Sequence, residues 1–188
     1  YPWHERVYNR LFEKYGEDTY KRLLLLWFED NEDKYVGLRY DYMNIITDEY
    51  SMNFTQKIGA WCRAHGVEYI GHIIEDENTH AKTGSGAGHY FKSMCGQDMS
   101  GVDVVLHQII PGMREYSNAC STSYKETSNK FYNYILARIA ASDAVQDERK
   151  HGRAMCELFG AYGWAEGTKI MKFLADHMII RGINRFVP

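Results

Sequence analysis

Two short apolar runs between residues 67 and 112 constrain the fold of this chain more than any other feature. The first, VEYIGHII at 67–74, leads directly into EDENTH, and the second, VDVVLHQII at 102–110, leads into PGM. Each run is rich in Val and Ile and is bounded by glycine or charge, which is typical of a strand buried on both faces of a parallel sheet. A third run, RAMCELFG, contains Glu157. Polar residues at the carboxyl ends of such strands often form functional sites, so we expect a site at this edge.

The first third of the chain has mainly helical periodicity. Residues 3–28 carry apolar residues at helical spacing around a break at Gly16, which predicts helical cover. The acidic segment 28–42 ends in a short run that fits either a strand or a loop, and both alternatives stay open. A long helix is expected to follow and to end at His65 and Gly66. Its expected caps are Thr47, Asp48 or Ser51, and its expected apolar face consists of Phe54, Ile58, Trp61 and Cys62.

Strand and helix alternate through the rest of the chain. We expect strands near 67–74, 102–110, 154–159 and 183–187. The helix over 125–152 has Phe131, Ile135, Leu136 and Ile139 as its expected apolar face, and a further helix covers 168–182. This alternation predicts an α/β fold with parallel strands. Four strands are about half of a TIM-type (β/α)8 barrel, so the chain is either part of such a barrel or a smaller open sheet. Its strand-like final segment favours the partial barrel.

Length and composition fit a single domain over residues 1–188. Hydrophobic residues make up 45% and charged residues 25% of the chain, close to the average for globular proteins. We divide the domain into helical cover at 1–66 and a strand and loop region, which contains the site, at 67–188. A partial barrel exposes strand edges and apolar helix surfaces, here with Leu23 to Phe28 losing their cover. We therefore expect self-association or dependence on a missing barrel half.

Charge and hydropathy exclude several classes of partner. A net charge of −3 and a pI near 6.3 argue against a nucleic-acid partner, which needs a basic face. No run approaches the ~20 apolar residues that span a bilayer, and the first ten residues do not form a signal peptide. We expect a soluble protein of the cytoplasm or periplasm, or a secreted one. The cysteines lack CxxC spacing, so we expect thiols and no zinc site, metal or cofactor: Cys62, Cys95, Cys120 and Cys156.

Several motifs together resemble one family of enzymes. WCRAHG precedes a strand that ends in GHIIED, and GVDVVLHQIIPG, AASDAVQ, RAMCELFGAYGW and GINRF follow in that order. This series resembles the barrel region of large bacterial glycoside hydrolases of the β-galactosidase-like and α-rhamnosidase-like kind, over about residues 50–188. The resemblance implies a catalytic barrel with an acid on the earlier strand and a second carboxylate on the later one. Several strands of such a barrel are absent from the sequence.

Glycoside hydrolysis needs two carboxyl groups, one to protonate the leaving oxygen and one to act as nucleophile or base. Glu75 and Glu157 are our candidates, because they follow different strands at the same edge. Asp76 and Glu77 compete with Glu75 for the acid role. Further candidates for substrate binding are His72, Asp76, His107 and Gln108, together with Tyr162 and Trp164 as stacking platforms for a sugar ring. The same aromatics would also suit a packed core.

Two alternatives to a glycosidase remain open. A metal-dependent hydrolase could use histidines with Glu75 and Asp76, although no compact ligand spacing supports it: His72, His80, His89 and His107. A non-catalytic fragment that binds a glycan or a partner would use the aromatic loops alone. The GSGAG segment in the long loop after the first run matches neither phosphate-binding glycine pattern, so a nucleotide site is not expected.

Overall fold

The computed structural model describes residues 3–27, 32–73, 86–112, 130–163 and 166–188. Its helices are α1 (Glu5–Tyr15), α2 (Thr19–Leu24), α3 (Glu32–Tyr50), α4 (Gln56–Ala64), α5 (Tyr90–Ser93), α6 (Leu136–Gln146) and α7 (Gly167–Ile179). Its strands are β1 (Ser100–Val104), β2 (Ala154–Leu158) and β3 (Arg185–Val187). Single π-helical turns at Ser51–Thr55 and Phe131–Ile135 lead into α4 and α6.

Helices α1 to α3 form a first core. His4 caps α1 by accepting a hydrogen bond from the Arg6 amide, and α1 ends before Gly16, whose φ of 58° favours glycine. The break expected at Gly16 is therefore confirmed. Leu23 and Leu26 are buried, so the expectation that the 23–28 segment loses its cover is wrong for these two side chains. The residues that bury this core are Val7, Leu11, Leu23, Leu26, Leu38, Tyr42, Met43, Ile45 and Ile46.

Helices α3 and α4 form one long helical stretch through the π turn. The segment 32–42 is helical, so it is neither the strand nor the loop that the sequence left open. The expected caps, Thr47, Asp48 and Ser51, lie inside α3 or the π turn. The expected apolar face is also wrong, because Phe54 and Trp61 are 47% and 61% exposed. The buried side of α4 instead contains Gly59, where a Cβ would lie 2.0 Å from the Gly96 carbonyl oxygen. Close backbone packing, rather than large side chains, positions this helix.

The three strands form a parallel sheet in the order β1-β2-β3. Helix α6 connects β1 to β2 and α7 connects β2 to β3, so the chain forms two successive βαβ units. The predicted α/β fold with parallel strands is therefore confirmed. One face of the sheet packs against the helices; its core residues include Val102, Val104, Cys156, Leu158, Leu136, Ala140, Leu174 and Met178.

Two of the predicted strands differ from the observed ones. β1 is Ser100–Val104 rather than 102–110, because Leu106 and His107 have φ values of 53° and 60° and cannot continue a strand. Residues 67–73 are not a strand of the sheet. They pack on the face of β1 opposite the helices, where a Cβ on Gly101 would lie 1.9 Å from the Gly71 carbonyl oxygen. The strands predicted at 154–159 and 183–187 are β2 and β3.

The register of α6 also differs from the sequence prediction. Phe131 and Leu136 are buried as expected, but Ile135 is 47% exposed. The π turn adds one residue per turn and thereby rotates the helix, so that alanines take up the buried positions. They are Ala137, Ala140 and Ala144. These small side chains let α6 pack closely on β1 and β2.

A buried ion pair fixes the amino ends of the strands. The Lys150 ammonium is fully buried and donates to the Asp143 carboxylate, which also accepts a hydrogen bond from the Ser100 hydroxyl. These three residues belong to the turn before β2, to α6 and to β1. The cluster lies at the edge of the sheet opposite the carboxyl ends. Within the described ranges, no helix is long and apolar enough to cross a membrane.

Candidate functional site

Two acidic residues lie side by side on the sheet face opposite the helices. Asp103 of β1 and Glu157 of β2 are partners in the parallel register, so their side chains point from the same face. The Glu157 side chain is 45% exposed, whereas that of Asp103 is only 8% exposed. Glu157 is therefore accessible to a ligand at the carboxyl edge, and Asp103 forms part of the wall beneath it.

His72 lies against both carboxyl groups. Its Nε2 is 3.1 Å from Glu157 Oε2, its Nδ1 is 4.0 Å from Asp103 Oδ1, and the same Nδ1 is 3.0 Å from the Ile73 carbonyl oxygen. The segment 67–73 carries His72 to this place because the Tyr69 and Asp98 backbones are hydrogen bonded at 2.8 Å, which fixes the segment at the start of β1. The structure thus brings together His72 and Glu157, two of the residues selected from the sequence.

The backbone at this edge is held in rarely populated conformations. Among the described residues, four of the five non-glycine residues with positive φ lie just beyond β1 and β2: Leu106, His107, Phe159 and Ala161. The Leu106 amide donates to the Gly160 carbonyl at 2.9 Å, which joins the two loops. A Cβ at Gly160 would lie 2.6 Å from Val105 Cγ1, so only glycine allows this approach. Such conformations concentrate at functional sites, where the surrounding structure must enforce them.

His107 is exposed in the loop after β1 and packs on Tyr162, with 4.7 Å between the ring centroids. Tyr162 itself is only 4% exposed. Its hydroxyl donates to the Ile109 carbonyl at 2.8 Å and accepts from the Ile109 amide at 3.1 Å, and burial raises its pKa. Tyr162 therefore braces the loop from within the core, which corrects its assignment as a stacking platform for a sugar. His107 is the exposed member of the pair.

Gln108 also has a structural role in this loop. Its side chain is buried, and its Oε1 accepts a hydrogen bond from the Val105 amide at 3.1 Å. This contact closes the turn that contains the two positive φ angles. Gln108 is 1% exposed, so the expectation that it binds substrate directly is corrected to a role in shaping the loop.

Two carboxyl groups near this edge, those of Asp103 and Glu166, were not among the residues selected from the sequence. The sequence does carry a signal for Asp103, because it lies inside the apolar run VDVV, which predicts a buried strand. An acidic side chain is rarely buried unless it is paired. Glu166, which directly precedes α7, gave no such signal in a loop of glycine and aromatic residues. Burial raises the pKa of Glu166, and the charge of the nearby His107 opposes that rise. Its Oε1 is buried without a hydrogen-bond partner among the described residues.

Several predicted site residues lie outside the described residues: Glu75, Asp76, Glu77, His80 and Trp164. The proposed acid therefore remains a prediction from sequence. His89 makes its contacts elsewhere: its amide donates to the Thr47 hydroxyl, and its ring packs on Phe91. Within the described parts of the chain, no group of three or more His, Cys, Asp or Glu residues is arranged to hold a metal ion. Cys62, Cys95 and Cys156 are thiols.

A separate cavity of about 520 Å³ lies among the amino-terminal helices and α5. Its lining includes Arg10, Asp48, Met52, Phe91 and Cys95. Asp48 already pairs with Arg10 at 2.8 Å and with Lys92 at 2.9 Å, so each of these two cations at the cavity already has a carboxylate partner. None of the described residues that were selected from the sequence as a site lines it.

The comparisons with known proteins add no family to this description. No protein-family model, no curated protein and no solved structure matches the chain.

Proposed function

We propose that this chain carries a catalytic carboxylate of a glycoside hydrolase, and that this carboxylate is Glu157. The observation that supports it is the position of Glu157: half exposed near the carboxyl end of the central strand, with His72 against it and Asp103 beside it. In parallel α/β sheets, residues at this place act on ligands. Glu157 then serves as nucleophile or base, and Glu75 serves as the acid that protonates the leaving oxygen.

We further propose that the sheet is part of a TIM-type (β/α)8 barrel. Three parallel strands in sequential order, with the connecting helices on one face, form the unit that such a barrel repeats. The opposite face carries Asp103, Met155 and Glu157 and would become the barrel interior. A barrel also places residues from different strands around one opening. At this opening the proposed acid, Glu75, and the exposed His107 would meet the substrate, together with Asp76 and Trp164.

One observation favours a second candidate, a glycan- or partner-binding module without catalysis. Trp61 on α4 is 61% exposed, and it stacks on His65 with 4.0 Å between the ring centroids. A flat, exposed indole of this kind is a common platform for a sugar ring or a protein side chain. This surface lies on α4, away from the carboxyl edge, and would bind its ligand independently of Glu157.

A panel of aryl glycosides distinguishes the two candidates. The native protein, Glu157→Gln and the matched control Glu13→Gln, an exposed position on α1, are each incubated with the panel, and calorimetry measures glycan binding in parallel. A hydrolase releases the aryl group in the native protein and in Glu13→Gln but not in Glu157→Gln. A binding module retains glycan affinity in all three and releases nothing, and then Trp61→Ala abolishes the heat of binding.

A further inference from the structure

Oxygen acceptors lie at both ring nitrogens of His72. Nδ1 is 3.0 Å from the Ile73 carbonyl oxygen, and Nε2 is 3.1 Å from Glu157 Oε2. A carbonyl oxygen can only accept, so Nδ1 carries a hydrogen and donates it to Ile73. The protonation of Nε2 is then the remaining question at this contact.

An unprotonated Nε2 would oppose the carboxylate. A neutral imidazole with its hydrogen on Nδ1 presents a lone pair at Nε2, and an ionised Glu157 presents only lone pairs in return. The two atoms stand at hydrogen-bond distance, which requires one proton between them. That proton rests on Nε2, giving an imidazolium and a carboxylate, or on Glu157, giving two neutral groups.

The surrounding charges favour the imidazolium form. Asp103 of β1 adds a second carboxyl group at 4.0 Å from Nδ1, and its side chain is 8% exposed, so its charge is weakly screened. On β3, Arg185 pairs in register with Met155, and its guanidinium donates to the Asn184 carbonyl. A cation between two carboxyl groups offsets the cost of burying Asp103.

We propose that His72 is a positioning residue that stays protonated at neutral pH and, by donating from Nε2, holds the Glu157 side chain oriented toward the open edge of the site. The catalytic consequence rests on the proposed function, whereas the protonation state does not. A carboxyl group that accepts a hydrogen bond from a cation in this way suits the role of nucleophile or base rather than that of acid. When Nε2 of His72 loses its proton at alkaline pH, a lone pair on Nε2 faces a lone pair on the carboxylate. The hydrogen bond is then lost, and the Glu157 side chain is no longer held in place.

Nitrogen-15 NMR of the histidine side chains tests the protonation state without any substrate. At pH 7.5 an ordinary histidine is about one tenth charged, given its usual pKa of about 6.5. We expect the two His72 nitrogens to show the imidazolium shifts at this pH in the native protein, with His72→Gln identifying the signal. In Glu157→Gln the same nitrogens should shift to the neutral pattern. Neutral shifts in the native protein, or imidazolium shifts unchanged in Glu157→Gln, would overturn the proposal.

Kinetics then test the positioning role separately. His72→Gln keeps an amide donor for Glu157 but does not titrate, so we expect it to retain more activity than His72→Ala and to lose the alkaline fall of kcat/KM seen in the native protein. His72→Ala should lower kcat about 10-fold to 100-fold with little change in KM. An alkaline limb that persists in His72→Gln contradicts the positioning role. Absence of any hydrolysis in the native protein contradicts the proposed function and leaves the NMR result standing on its own.

Discussion

His72 Nε2 lies 3.1 Å from Glu157 Oε2, although 85 residues separate the two in the sequence. This contact joins a segment that packs on the sheet to the central strand of the sheet itself. It depends on Gly101, because the segment reaches β1 only where the Gly71 carbonyl oxygen meets a residue without a side chain. The geometry of the candidate site is therefore determined by backbone packing several residues away from the carboxylate.

The first prediction concerns Gly101. In Gly101→Ala the new Cβ would overlap the Gly71 carbonyl oxygen, which lies 1.9 Å from the ideal Cβ position. We expect a loss of about 2–3 kcal/mol in the free energy of unfolding, measured by urea denaturation. The matched control is Gly37→Ala, where an added Cβ meets nothing within 4 Å and the residue lies inside α3. This control should gain about 0.5–1 kcal/mol, and equal losses in both variants would contradict the role of the close approach.

The second prediction concerns the buried ion pair. Lys150→Met leaves the Asp143 carboxylate buried without its cation, so we expect a loss of about 3–5 kcal/mol in unfolding free energy. The double variant Lys150→Met with Asp143→Leu removes both charges and should lose clearly less than the sum of the two single variants. Additive losses in this double-mutant cycle would show that the two groups do not interact.

The third prediction is a dependence of stability on pH. Burial lowers the pKa of His177 to about 4, with a smaller contribution from the charge of Arg181. Since the unfolded chain binds this proton near pH 6.5 and the folded one does not, stability is complete above pH 6.5 and falls as the pH drops toward 4. The total loss from this group is up to about 3 kcal/mol.

His177→Gln tests this assignment, because its side chain does not titrate. We expect the slope of unfolding free energy against pH between 4 and 6.5 to become shallower than in the native protein. The control His65→Gln, at an exposed position after α4, should keep the native slope. A native slope in His177→Gln would assign the acid sensitivity to other groups.

The fourth prediction concerns self-association through β3. All three residues of this edge strand are exposed, and Phe186 and Val187 are 37% and 42% accessible. Unpaired edge strands with apolar side chains tend to pair with another chain. We expect light scattering to give a mass above 21.9 kDa for the isolated chain. Val187→Lys should reduce that mass, whereas Ile180→Lys, at an exposed position after α7, should not; a native protein that is monomeric at all concentrations would contradict this.

The alternation of strand and helix was predictable because each apolar run is short and bounded by glycine or charge. The end of β1 was not, because Leu106 and His107 adopt positive φ values that their residue types do not announce. The faces of α4 and α6 were misassigned for a common reason. A π turn precedes each helix and rotates the following residues away from the regular period of 3.6.

For the candidate site, the sequence identified Glu157 and His72 but not their relationship. His72 was expected to lie on a strand at 67–74 that pairs in the sheet. The segment instead crosses the face of β1, which turns His72 toward Asp103 and Glu157. Tyr162 and Gln108 were expected to bind substrate. Polar and aromatic residues near strand ends can either bind a ligand or stabilise the adjacent loop, and the sequence does not separate these roles. Only their burial distinguishes the two roles.

The most direct test of the account is the kcat/KM of Glu157→Gln on the aryl glycoside that the native protein cleaves best. The substitution preserves the shape of the side chain and its capacity to accept a hydrogen bond but removes the charge. We predict a fall of about a thousandfold, with unchanged circular dichroism and with Glu13→Gln within about twofold of the native value. A folded Glu157→Gln protein that retains more than about a tenth of the native kcat/KM would contradict the assignment of Glu157 as a catalytic carboxylate.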